Sequence, residues 1–64
     1  MSGVFEEVQQ QNDDNTDGLE LDIAFQSSRS GVVRGISIEV EYLHAPLFIS
    51  CDQLRRLADE AEQA

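Results

Sequence analysis

From Gly18 onward the chain alternates. Leu19, Leu21, Ile23 and Phe25 share one parity and Glu20, Asp22, Ala24 and Gln26 the other, the pattern of a strand with one face in a core and one in water. Alternation resumes with Ile36, Ile38, Val40 and Tyr42, separated by Ser37, Glu39 and Glu41. Between the two runs, Ser27-Ser28-Arg29-Ser30-Gly31 is turn chemistry, with Gly31 free to take a positive φ. The pattern predicts an antiparallel hairpin.

Ala45-Pro46 interrupts the second run, because proline has no backbone donor for a ladder. Leu47, Phe48 and Ile49 then predict a short third strand. Ser50-Cys51-Asp52-Gln53 has the spacing of a capping box, in which the serine hydroxyl and the glutamine amide each satisfy the other's backbone N–H, so a helix starts there. Along it Cys51, Leu54, Leu57, Ala58 and Ala61 recur at three- and four-residue steps and predict the buried face, with Cys51 as an inert structural thiol.

Upstream of Gly18 the pattern is weaker. Val4, Phe5 and Val8 fit a helical turn after Ser2 or a brief strand equally well. The run Gln9-Gln10-Gln11-Asn12-Asp13-Asp14-Asn15-Thr16-Asp17 offers a core little beyond the Thr16 methyl, too little to offset the entropy of ordering it. The expected organisation is a flexible acidic segment over 1–17 and a single ββ(β)α domain over 18–64. Its class is α+β: a small antiparallel two- or three-stranded sheet with one C-terminal helix on its apolar face.

Length sets a limit on that fold. A chain of 64 residues buries only about 60% of its unfolded surface, so association, as a homodimer or on a larger partner, is expected to add stability. No apolar run approaches the roughly 18 residues that cross a bilayer, and no charged-then-apolar leader follows Met1. A single cysteine cannot close an internal disulfide, which points to a reducing, cytoplasmic setting.

Charge changes the picture most. Asp and Glu number 13 against 4 Arg and no Lys, for a net charge of −9. Nucleic acid and anionic membrane both require clustered basic residues, so neither is expected as a direct ligand. Strand parity turns Glu20, Asp22, Glu39 and Glu41 away from the core in any register. One register sets Glu20 opposite Glu41 and Asp22 opposite Glu39, and like charges directly opposed destabilise a sheet. Alternate residues lie about 6.8 Å apart along a strand, so two strands carry a carboxylate about every 3.4 Å, comparable with the phosphates of one DNA strand. Asp59, Glu60 and Glu62 crowd the C-terminal end of the helix, where the macrodipole is already negative. These departures share one sign, so Glu20, Asp22, Glu39, Glu41, Asp59, Glu60 and Glu62 form the candidate partner-binding set. Asp52 and Arg56, by contrast, are spaced as a favourable i,i+4 pair.

Other chemistry is poorly supported. Asp13-Asp14-Asn15-Thr16-Asp17-Gly18 matches the opening of a calcium loop, but Ala24 stands where the bidentate glutamate belongs, so no metal site is expected. Zinc needs three or four ligands of the right type, and the chain has one His and one Cys. A reactive thiolate at Cys51, near His44 across the proline bend, would need an electropositive setting. The paired carboxylates lie on a flat face rather than in a pocket that could shift a pKa. No enzymatic activity and no cofactor are expected. Arg29 and Arg34, bracketing the hairpin tip, read as a solvated turn.

These features point to a protein partner with a basic surface. The expected function is an acidic inhibitor that occupies a nucleic-acid-binding surface in the manner of a DNA mimic. Phage proteins that block host defence, such as anti-CRISPR and anti-restriction proteins, are analogous in size and charge, though no motif carries the analogy. The alternative is a small structural or regulatory subunit, homodimeric or within a larger assembly, whose acidity is incidental.

Overall fold

A computed structural model of the chain describes residues 3–63. Its elements are α1 (Gly3–Gln11), β1 (Asp22–Ser27), β2 (Arg34–Glu39) and α2 (Cys51–Gln63). The strands pair antiparallel with Asp22 opposite Glu39, Ile23 opposite Ile38 and Phe25 opposite Ile36. The α+β class therefore holds, with two strands in the sheet and an additional helix at the N-terminal end. No described helix is long and apolar enough to cross a membrane.

Both helices lie on the face of the hairpin formed by the apolar parity. Val4 and Val8 of α1, Leu57 of α2 and Leu21 make the buried centre, and Ile23, Phe25, Ile36, Ile38 and Val40 pack against it. Glu7 meets Arg56 and Gln11 meets Gln53, so the helices run antiparallel to each other. Phe5 packs against Phe25 with ring centroids 5.0 Å apart and planes tilted by 47°, tying the start of α1 to the far half of β1.

The N-terminal segment departs from the sequence expectation. Residues 3–11 are helical, Val8 is wholly buried, and the polar Asn12 and Thr16 are wholly buried with it. Val4 and Val8 stand one turn apart and aim into the core, while Glu6, Glu7 and the Gln residues after Val8 are good helix formers. The division expected at residue 17 has no counterpart in the packing, because α1 shares its core with Leu57 and Leu21. The Ser2 start lies outside the described residues. Past α1 the backbone keeps turning until Asp17 and Gly18, at φ 55° and 82°, reverse it. The Gly18 N–H donates to the Asp13 carbonyl at 2.9 Å, the long bond typical of a left-handed helix stop that glycine tolerates best.

Two further expectations are corrected. Leu47–Ile49 is not a strand: Phe48 gives its N–H to Asn12 Oδ1 at 2.8 Å and takes a bond from Asn12 Nδ2 at 2.8 Å, so one side-chain amide replaces a neighbouring strand. Cys51 is exposed. The inner face of α2 is Gln53, Leu57 and Ala61, and at 100° per residue Cys51 stands about 120° round the helix from Leu57. Leu54 and Ala58 fall on the outer side with it. The helix start itself is as read: Ser50 Oγ accepts the Gln53 N–H at 3.1 Å and Gln53 Oε1 accepts the Ser50 N–H at 3.0 Å. Gly31 takes a φ of 75° in the hairpin loop, and Asp52 pairs with Arg56 at 3.0 Å.

Candidate functional site

The sheet ends with acid against acid. Asp22 and Glu39 are directly opposed in the ladder's last pair, on the face turned away from the helices. Glu20 and Glu41 are the next residues of the same parity, just beyond that pair. All four line one open groove of about 650 Å³ together with Leu19, Leu21 and Val40. Leu19 and Tyr42, expected within the strands, fall outside them and are exposed.

No ion pair joins any of these four acids to an arginine among the described residues. Arg56 is engaged elsewhere, hydrogen-bonded in bidentate fashion to Glu7 at 2.8 and 3.1 Å and ion-paired with Asp52. The guanidinium beside Glu7 holds that carboxyl below its usual range, and Glu7 in return raises Arg56. Arg29 and Arg34 flank the loop at the other end of the hairpin, about 20 Å away at roughly 3.4 Å per residue. The hairpin's own charged side chains are therefore divided, carboxylates where it opens and guanidiniums at its tip.

The three helix acids belong to a different place. Asp59 and Glu60 line a separate cleft of about 370 Å³ with Gly3, Val4, Glu7 and Arg56, and Ala61 lies beside Gln26, Ser27 and Arg34. Asp59, Glu60 and Glu62 thus sit toward the tip end of the hairpin, and the expected set of acids divides into two patches. Glu6 was missed by sequence reasoning. It faces a groove of about 560 Å³ between α1 and β1 that it shares with Glu20 and Asp22, so the acidic rim extends onto α1. Only the recognition of residues 3–11 as a docked helix could have revealed it.

The remaining chemistry-bearing residues form no site of their own. His44 gives its backbone N–H to the Asn15 carbonyl at 3.1 Å, and its ring lies 5.6 Å from that of Tyr42. Among the described residues no three His, Cys, Asp or Glu side chains are arranged to hold a metal ion. Comparison with protein-family models, curated proteins and solved structures gives no match. The functional reading rests on geometry. What that geometry offers is an open groove lined by four carboxylates and three apolar side chains, of a charge that attracts cations.

Proposed function

We propose that the chain is an acidic binding module whose open hairpin end occupies the basic, nucleic-acid-binding surface of a partner protein. The observation that carries this reading is the direct opposition of Asp22 and Glu39, continued by Glu20 and Glu41 in one groove without a basic neighbour. Such an arrangement costs the isolated fold some stability and is repaid only by cations from outside. Replacing Glu20, Asp22, Glu39 and Glu41 together by Gln tests it. Basic nucleic-acid-binding proteins retained by the parent chain at low salt, and displaced by duplex DNA, should be lost by the variant. For closely apposed charges the loss should reach about 2–5 kcal/mol, with faster dissociation and a flatter salt dependence. Retention unchanged at both low and high salt refutes the reading.

A second reading has its own support. Val32, Val33, Tyr42, Leu43, Phe48 and Leu54 are large apolar side chains left exposed, as in a subunit that associates through apolar contacts. Under that reading the Gln variant keeps its partners, and polar replacement at Phe48 and Leu54 removes them.

A further inference from the structure

The groove between α1 and β1 runs along the first part of an unfinished sheet edge, at Leu21 and Ile23, and the edge continues past it to Phe25. Ser28 gives its N–H to the Val33 carbonyl at 2.7 Å, continuing the ladder one pair past Ser27 and Arg34. Backbone groups in an antiparallel strand alternate in direction, so the even-numbered residues of β1 face β2 and the odd-numbered ones face away. A second contact agrees. On that outer side Gln9 Nε2 donates to the Leu19 carbonyl at 3.2 Å and Gln9 Oε1 accepts the Leu21 N–H. One side-chain amide thus stands where the next strand would be. The row continues with Ile23 and Phe25, whose N–H and C=O groups point the same way. The sheet has no third strand, and no hydrogen bond from outside it reaches them among the described residues.

We propose that this edge accepts an extended basic segment of the partner as an added strand. The inference rests on the acidic-module reading and specifies how the partner is held. Phe5, Leu21 and Ile23 form the apolar side of the groove, and Glu6, Glu20 and Asp22 form its rim, with no basic residue among its lining. An added strand alternates its side chains, so apolar residues face the floor while lysines or arginines at every second position meet the rim. Ile23 to Phe25 spans about 7 Å, which suits a short segment rather than a long strand. A helix has no free backbone groups to offer such an edge. A second copy of this chain would bring another Glu6, Glu20 and Asp22 into the same groove, so charge selects against it.

The probe is a blocked heptapeptide alternating Lys and Val, compared with the same peptide N-methylated at every residue. On saturation by the unmethylated peptide, amide exchange at Ile23 and Phe25 should slow at least tenfold, and N-methylation should weaken binding at least tenfold. If both peptides bind equally, or if the peptide binds without protecting Ile23 and Phe25, strand addition is wrong. The acidic-module reading would survive that result, since the fourfold Gln variant judges it separately. Absence of binding at millimolar peptide overturns the proposal. So does protection of these amides in the free protein that grows with its concentration, which would assign the edge to a second copy.

Discussion

Two polar regions of this small fold behave oppositely. Around the end of α1, Gln9, Gln11, Asn12 and Gln53 have their amides hydrogen-bonded within the chain, with Asn12 and Gln53 buried. Asn12 donates to the Val8 and Phe48 carbonyls and accepts from Phe48 N and Asn15 Nδ2, filling both donor and both acceptor positions of its carboxamide. Gln11 and Gln53 exchange amide bonds at 3.0 and 3.2 Å. At the open end of the hairpin, Glu20, Asp22, Glu39 and Glu41 turn outward and meet one another across a groove. The neutral amides organise irregular backbone that has no strand or helix beside it. The carboxylates organise nothing within the chain, and that is why they are assigned to something outside it.

The sharpest way to break the contrast is Asn12→Asp. The substitution preserves shape but replaces the donating amide with an oxygen facing the Val8 and Phe48 carbonyls. Destabilisation of roughly 2–4 kcal/mol is expected, seen as a lower urea midpoint at unchanged slope. A loss below about 0.5 kcal/mol, the scale of an ordinary surface change, would mean that the amide does not hold residues 47–49 in place. The acidic end should respond in the opposite direction. Asp22→Asn with Glu39→Gln should raise stability by a few tenths to about 1 kcal/mol, because a like-charge pair is removed. A fall in the same urea assay would show that these carboxylates support the fold.

The smallest expected effect separates paired from unpaired acid. Arg56 lowers the pKa of Glu7, so the stability linked to this group is fully present above the ordinary carboxylate range, near pH 4.3, and is lost as pH falls through the lowered folded value. Thermal melts of the parent and of Glu7→Gln should therefore differ at neutral pH and converge on acidification. Curves that stay parallel down to pH 2 would remove Glu7 from the account.

Much of the sheet was legible because parity is a strong constraint. The alternation around Ile23 and Ile38 placed the core face, and the Asp22–Glu39 opposition followed from one of the registers parity allows. The Ser50–Gln53 cap was legible because it is local. The role of α1 was hidden because its partners are remote: Asn12 bonds Phe48 and Gln11 bonds Gln53 across 36 and 42 positions. A run of Gln and Asn looks solvated when those partners cannot be seen. The same blindness misplaced Cys51, since Leu54 and Ala58 offered a more apolar stripe than one containing Gln53. It also concealed Glu6, which joins the acidic rim only once α1 is docked on β1.

The remoteness of α1's partners has a consequence for synthesis. At about 5–20 residues per second, Phe48 and Gln53 are made some 2–8 seconds after Asn12 and Gln11. For that interval α1 has the hairpin but lacks its partners Phe48, Gln53 and Leu57, and the hairpin edge at Leu19 and Leu21 can be capped by Gln9 only if α1 is helical already. The nascent chain thus carries an incomplete core and open strand edges while it waits. A surplus of carboxylates keeps such chains apart from one another during the delay, so the charge proposed for binding in the finished fold also guards its assembly.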